Sequence, residues 1–515
     1  MSASNPIVEA QQLDDIPLES SGLDHAIIAK DPEKCSSSIL HQSASSMKTA
    51  ETEYLDPEAV QRLRAKVDRH LLPLVSVLYL CSFLDRVNIG NAKVAGIVQD
   101  LGLTPGEFNW AISIFFIGYV LFEVPSNICL KLVGPRLWIT FIMVMWGGIM
   151  MAMAGVQNAS GLWAARFFLG VAECGLFPGV VYLFSLWYTR NEQALRNGIF
   201  FSSATMAGAF GGILAYGIEH MDGAAGLQGW QWIFLLEGLP TVLLTVVVLL
   251  YLPDFPETAW FLNPEERELA VQRLRIDAGP ATQTEFSWRQ CRLAFMDWKV
   301  YMHMAIYICH STTLYSLALF MPSIVVGFHF NSITTQIMTA PAYSVACVAT
   351  LFFAFSSDRF KERGYHLAVP GAISCLGYLL LIATRNGSTA IRYICLTITA
   401  IGNFSTLPPM VSWFSSNIGG HTKRGVATAA IISFANCGGI VAGQIYKDDD
   451  AAHGYIRGHT ICAVLAGLLV FFTLTLKWLL TRENKRRDRL TPEEFRAEAE
   501  GEDLCDLHPG WRYWT

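Results

Sequence analysis

From residue 71 onward the chain alternates long apolar runs with short polar stretches. Each run is about 20 residues, enough for a helix to cross a ~30 Å hydrocarbon core, where only helices and closed barrels satisfy their own backbone groups. The pattern predicts twelve spans, at 71–91, 108–130, 137–156, 161–187, 197–218, 231–252, 299–325, 336–356, 366–384, 390–415, 425–445 and 459–480. The first 50 positions are rich in Ser, Asp, Glu and Gln, show no hydrophobic periodicity and lack the apolar core of a signal peptide. The expected fold class is therefore an all-α integral membrane protein with twelve transmembrane helices in two six-helix halves. Residues 1–60 are expected to form a disordered tail, 61–252 the first half, 253–298 a linker, 299–481 the second half and 482–515 a C-terminal tail.

Composition agrees with that pattern. Of 515 residues, 52% are hydrophobic and 16% charged, too apolar for a soluble chain of several domains. The twelve cysteines are scattered without a CxxC pair or metal-ligand spacing and read as small hydrophobes. No nucleophile, metal cluster or phosphate loop marks an enzyme, and nothing calls for a cofactor or a nucleic-acid partner. The net charge of -6 matters less than where the cations fall. Lys and Arg in the connections divide 24 to five between the two sides, so the positive-inside rule puts both termini and the linker in the cytoplasm. Asn158 and Asn386 lie in sequons on the opposite side.

The two blocks of six spans are equally long and offset by 228 positions. LKLVGPR at 130–136 follows span two and SSDRFKER at 356–363 follows span eight, which makes Gly134, Arg136, Asp358 and Arg359 candidate gating-loop residues. Gly208 with Gly212, and Gly439 with Gly443, form GxxxG pairs that allow close helix approach. Two such halves around a midplane site describe a secondary transporter, and one chain carries both halves, so a monomer suffices. The segment PDFPETAWFLNPEERELAVQRLR predicts a charged helix starting near Asn263, read as a solvated linker.

Charge within the spans is costly, on the order of 3 kcal/mol per ion even on lenient scales, so it marks candidate function. The cations inside are Arg86 and Arg166, with Lys477 close enough to an end to snorkel. The acids are Asp85, Glu123, Glu173 and Glu237. Arg166 and Glu173 are seven apart, two turns along one helix face. Asp85 and Arg86 are adjacent, point roughly 100° apart and need partners elsewhere. Bringing spans one and four together would let Asp85 meet Arg166 and Arg86 meet Glu173 or an anion. Asp85 and Glu173 are the candidate proton carriers, Arg86 and Arg166 the candidate anion ligands. Glu123 and Glu237 precede prolines, so capping, gating and substrate contact stay open for them. The second half offers neutral groups instead, and His310, Tyr315, Asn403 and Asn436 are its candidate substrate contacts.

The stretches DRHLLPLVSVLYLCSFLDRVNIGNA, FEVPSNICLKLVGPRLW, RFFLGVAECGLFPGVVYLFSLWYTR, GWQWIFLLEGLPTVL, PDFPETAWFLNPEER, LFMPSIV, SSDRFKERG and FANCGGIVAGQIY together resemble the major facilitator superfamily. Within it they are similar to the fungal allantoate permease branch of the anion:cation symporters, over nearly everything from Val67 to Leu480. The superfamily's loop motif carries an acid three residues before a glycine; here Lys131 precedes Gly134, and the second half keeps Asp358 and Arg359. A conformational lock at the first loop is therefore not implied. In related proton-coupled anion symporters the matching residues, Asp85, Arg86, Arg166 and Glu173, carry substrate charge and proton coupling.

The resemblance implies a plasma-membrane symporter that takes up a small organic anion with protons, such as a nicotinate-like or allantoate-like metabolite. An exporter of a secondary metabolite is the first alternative; span five reads GAFGGILA, without the glycine-proline signature of drug antiporters. A nutrient-sensing receptor without net transport is the second, and a titrating pair argues against it.

Overall fold

Polar caps and prolines bias where the helices begin and break. Thr104 and Glu107 form a capping box, with Glu107 N donating to Thr104 Oγ1 at 3.3 Å and Thr104 N donating to Glu107 Oε2 at 2.8 Å. Asn158, Asn331, Ser388 and Asp297 cap other spans through side-chain oxygens. Asn158, the first sequon asparagine, thus has its Oδ1 engaged by Gly161 N at 2.8 Å.

The computed structural model describes residues 55–278, 287–328, 330–500 and 504–515. Most of the expected N-terminal tail lies outside them, and the first helix already starts at Pro57. Among the described residues twelve helices are long and apolar enough to cross a membrane. The first half comprises Pro57–Val94, Pro105–Val133, Pro135–Met153, Ala159–Trp187, Arg190–Glu219 and Gly229–Tyr251. The second comprises Trp298–Val326, Ser332–Phe360, Gly364–Ala383, Thr389–Asn417, His421–Ile445 and Ile456–Arg487. Several run past the apolar run that announced them, the twelfth through its basic end to Arg487.

Spans four and ten are each interrupted, at Cys174–Gly175 and at Thr406. Pro178 and Pro408 favour these breaks, since each lacks an N–H and its ring crowds the carbonyl four residues back, Cys174 and Phe404 respectively. Spans one and two nevertheless run unbroken through Pro73 and Pro125. The breaks occupy corresponding places in the two halves, and broken helices at mid-depth put irregular backbone where it can line a cavity.

The halves pack against each other along spans two with eleven and five with eight. At the end of the bundle opposite the termini, Asn109 Nδ2 donates to Tyr446 O at 3.1 Å and Ser113 Oγ to Ile440 O at 2.9 Å. The GxxxG glycines sit in these seams. A Cβ on Gly208 would lie 2.5 Å from the Tyr343 ring, and one on Gly439 would collide with Phe116. Lys93 Nζ and Asp448 Oδ1, 2.6 Å apart, tie the halves together at that far end. Ion pairs at the terminus-bearing end, such as Arg196–Asp68, Arg273–Glu192 and Lys423–Asp297, stay within one half and its part of the linker.

The linker divides its loyalties. Its first helix, Pro264–Ala278, is fastened to the first half by Lys66–Glu266 at 2.6 Å and by Arg273 donating to Trp187 O at 2.7 Å. Its second, Trp288–Met296, packs on span eleven. The expected solvated linker is thus docked along both parts.

The expected C-terminal tail is likewise a docked strap over residues 504–515. Asp506, fully buried, takes Lys423 Nζ at 2.6 Å and Lys299 Nζ at 3.0 Å. Arg487 donates to the carbonyls of Asp506, His508 and Trp511 at 3.0–3.2 Å. Trp514 O accepts from Trp413 Nε1 at 2.8 Å and Asn417 Nδ2 at 2.9 Å, and Arg363 N donates to Thr515 O at 3.1 Å. Spans seven, ten, eleven and twelve and the loop after span eight are held by one short segment.

Candidate functional site

Arg86 leaves span one toward span four. Its Nη2 donates to Glu173 Oε2 at 3.1 Å, its Nη1 donates to Tyr315 Oη of span seven at 3.1 Å, and its guanidinium lies 5.0 Å from the centroid of the Tyr119 ring. Ser82, one turn back on span one, donates to the same Glu173 oxygen at 3.3 Å. Glu173 sits on the last turn before the break in span four, which places its carboxyl group at the discontinuity.

Arg166 is fully buried and differently served. Its Nε reaches Ala111 O at 3.4 Å and its guanidinium lies 4.9 Å from the Phe115 ring centroid, but neither Nη atom has a partner. Arg86 lies 5.5 Å from the same ring, so two cations flank one phenylalanine. Adding an anion between such groups would satisfy donors that the protein leaves open.

Asp85 does not meet Arg166 as the sequence led us to expect. Facing away from Arg86, it accepts from Trp146 Nε1 of span three at 3.1 Å and from Thr241 Oγ1 of span six at 3.2 Å. The 100° between adjacent helix positions turns the two side chains toward different neighbours, and spans three and six, rather than four, flank the Asp85 side.

A narrow cavity of about 30 Å³ lies between the halves. Its walls mix aromatic and apolar side chains, Tyr79, Phe83 and Phe201 from the first half facing Tyr307, Phe404 and Leu407 from the second, with the hydroxyls of Thr205, Ser311 and Thr350. Tyr315 and Asn436 line it, and Tyr315 connects it to the charged cluster by its bond from Arg86. Asn436 Nδ2 donates to Glu123 Oε2 at 3.3 Å and Ser433 Oγ donates to it at 3.2 Å, so a buried acid of span two is held by neutral donors of span eleven.

The other two second-half candidates lie behind the wall. His310 Nδ1 is 2.8 Å from Thr406 Oγ1, and Asn403 donates to Tyr378 Oη at 2.9 Å while accepting from Ser374 Oγ at 3.1 Å. Both are used in joining spans seven, nine and ten. The gating-loop candidates also separate. Gly134, at φ 96°, turns the chain between spans two and three, and Arg136 N donates to Asp254 Oδ1 at 2.7 Å just beyond span six. Asp358 pairs with Arg363 at 2.6 Å, whereas Arg359 is exposed.

Sequence reasoning missed the aromatic pair Phe115 and Tyr119 that flanks the arginines, although the two lie one turn apart on one face. It also missed the Lys93–Asp448 pair, since both residues sit in loop-like sequence.

The Major Facilitator Superfamily profile matches residues 75–443. Among curated proteins, the MFS transporter prlL of Fungal sp. (strain NRRL 50135) is 39% identical over 426 residues, covering 81% of this chain and 86% of its own. The MFS-type transporter cnsO of Penicillium expansum is 33% identical over 463 residues, covering 87% of this chain and 88% of its own. Among solved structures, the xylose transporter XylE from E. coli, in a partially occluded inward open conformation, superposes with a TM-score of 0.61 at 10% identity, over 79% of this chain and 97% of its own.

Proposed function

This chain belongs to the major facilitator superfamily, and from that premise we propose that it is a secondary transporter that moves a small organic anion together with protons. The observation that carries the reading is Arg166: a buried guanidinium with two unpartnered Nη atoms, two turns before a carboxylate already bound by a second arginine. Protonating Glu173 would free Arg86, so that both arginines together could hold a carboxylate. Losing that proton would restore the internal pair and expel the anion. Asp85, in its own hydrogen-bonded niche, is the second candidate proton carrier.

The cavity lining, aromatic rings interleaved with the hydroxyls of Thr205, Ser311 and Thr350, is compatible with a nicotinate-like or an allantoate-like carboxylate once the cavity widens, with Tyr315 and Asn436 as neutral contacts. Cytoplasmic termini fit the charge distribution of the connections, while membership of the allantoate permease branch and residence in the plasma membrane are proposed on the resemblance of the sequence motifs alone. The contacts at the far end then correspond to an inward-facing state, closed to the outside. Export of a secondary metabolite is a second reading, favoured by the same lining, since the cavity would serve either direction.

The test is uptake of a panel of labelled carboxylates into vesicles carrying the protein, at several pH values and with the proton gradient imposed or collapsed. Accumulation that follows the gradient supports symport of an anion. Efflux driven by the opposite gradient selects export, and movement unaffected by any gradient overturns proton coupling.

A further inference from the structure

Span twelve packs on spans seven and nine with one face, through Cys462, Leu469, Thr473, Leu476 and Leu480. Its outer face carries Phe471, Leu474 and Trp478, all exposed, a surface turned to lipid acyl chains. The same stripe continues from Trp478 through Arg482, Lys485 and Arg489, at spacings of four, three and four residues. The helix proper ends at Arg487, and Asp488 keeps helical backbone, which carries the stripe on to Arg489. Apolar surface thus gives way to cations where the helix leaves the membrane. Trp478 marks the boundary, its ring centroid 5.6 Å from the Arg482 guanidinium.

A groove of about 630 Å³ opens at this point. One wall is the basic stripe, and the other is the short helix Pro492–Ala499. Arg486 fastens that helix, its Nη1 and Nη2 donating to the two oxygens of Glu498 at 2.6 and 3.0 Å, and it also binds Glu483. Glu494, the other acid of the lining, accepts from Thr491 N and Oγ1, both at 2.9 Å, in a capping box. Neighbouring cations outside the groove are engaged as well, Arg487 by Glu483 and the strap carbonyls, Arg512 by Asp488. Among the described residues, Arg482, Lys485 and Arg489 are the exception: all three are exposed, and their side chains make no hydrogen bond or ion pair.

Three unpaired cations in line with an apolar stripe fit an amphiphile, an anionic phospholipid with its chains along Phe471, Leu474 and Trp478 and its headgroup in the groove. Arg482 and Arg489 are seven residues apart, a rise of roughly 10 Å, further than one phosphate group bridges. The headgroup that reaches both carries several phosphates. We propose that the groove is a binding site for a phosphoinositide, with the phosphodiester at Arg482 and the ring phosphates at Lys485 and Arg489. The site lies beyond the transport reading and shares with it only the cytoplasmic placement of the C-terminus, the leaflet to which such lipids belong.

The test is binding of dioctanoyl phosphatidylinositol bisphosphate to the purified full chain, followed by microscale thermophoresis. Each cation should contribute about fivefold in affinity, so Lys485→Gln should weaken binding by that factor, and Arg482→Gln, Lys485→Gln and Arg489→Gln together by roughly 100-fold. The side chains are exposed, so the thermal midpoint without lipid should hold; if the triple variant is unstable, Lys485→Gln alone decides. Dioctanoyl phosphatidylserine, which lacks ring phosphates, and soluble inositol trisphosphate, which lacks chains, should both bind more weakly. Equal affinity of the unmodified chain and the variants overturns the site. Phosphatidylserine binding as tightly overturns the polyphosphate headgroup, and inositol trisphosphate binding as tightly overturns the lipid in favour of a soluble anion. No transported substrate enters the measurement, so its failure leaves the transport reading standing, and failure of proton-coupled uptake leaves the lipid bound.

Discussion

Arg86 and Glu173 lie 3.1 Å apart, both buried, while Arg166 on the same helix as Glu173 keeps two unpartnered nitrogens. The two arginines should therefore respond unequally to removal. Arg86→Met leaves Glu173 buried without its ion and should cost about 3–5 kcal/mol, which a second change, Glu173→Gln, largely restores. Arg166→Met removes a buried guanidinium whose two Nη atoms have no hydrogen-bond partner, and should cost less than Arg86→Met while weakening anion binding. Thermal unfolding of the purified variants, with and without a carboxylate from the uptake panel, checks both. A lower midpoint for Arg166→Met than for Arg86→Met would contradict the assignment.

The Lys93–Asp448 pair is the ionic latch between the halves at the far end. It is partly exposed, so its worth is about 1 kcal/mol, roughly a fivefold change in the balance of open and closed forms. Lys93→Asp should raise the reactivity of a cysteine placed at that end toward a membrane-impermeant thiol reagent by about this factor. Exchanging both charges, Lys93→Asp with Asp448→Lys, should return it. Failure of the double exchange to restore protection would mean the pair is incidental.

The strap at 504–515 gives a pH prediction. Burial works to raise the Asp506 carboxyl, but the ammonium groups of Lys299 and Lys423 outweigh it and hold the carboxyl below the usual aspartate range. A depressed folded-state value means the stabilisation is present above the unfolded value, about 3.9, and lost as pH falls through the folded one. The strap should stay docked across neutral and mildly acidic pH. Asp506→Asn, which strands two buried lysines near Asp297, should lower the thermal midpoint at neutral pH and lose less on acidification than the unmodified chain. Equal midpoints at neutral pH would refute the docked strap.

How far the sequence reached follows from what each signal measures. Run length reports membrane crossing, so all twelve spans were legible, but proline alone does not set apart the breaks in spans four and ten, since Pro73 and Pro125 stand in unbroken spans. Helical period told correctly that Asp85 and Arg86 face apart, but which helix stands opposite each face depends on packing that a single chain does not display. His310 and Asn403 were chosen by residue type. The cavity stripe on span seven runs through Tyr307, Ser311, Leu314 and Tyr315, leaving His310 at its edge toward span ten; the stripe on span ten, Phe404, Leu407 and Pro408, leaves Asn403 about a quarter-turn aside. The strap was invisible to hydropathy because its order comes from buried polar groups, although the aromatic close WRYWT was a cue.

If Glu173 carries the coupled proton, as proposed above, its position makes the consequence specific. Its Oε2 accepts from both Ser82 and Arg86, while Oε1 has no partner. A proton on Oε1 would cancel the attraction to Arg86 without moving the helix, and Arg86, still bonded to Tyr315 at the cavity wall, would turn its charge toward an anion. Glu173→Gln reproduces that neutral state permanently. The variant should bind its carboxylate at least as tightly as the unmodified protein and exchange labelled for unlabelled anion across the membrane. It should fail to concentrate the anion when a pH gradient is imposed, because no proton leaves to restore the ion pair and expel it. Counterflow and gradient-driven uptake in the same vesicles separate these two abilities. If Glu173→Gln accumulates substrate as well as the unmodified protein does, the coupled proton resides elsewhere, and Asp85, held by Trp146 and Thr241, is the group to replace next.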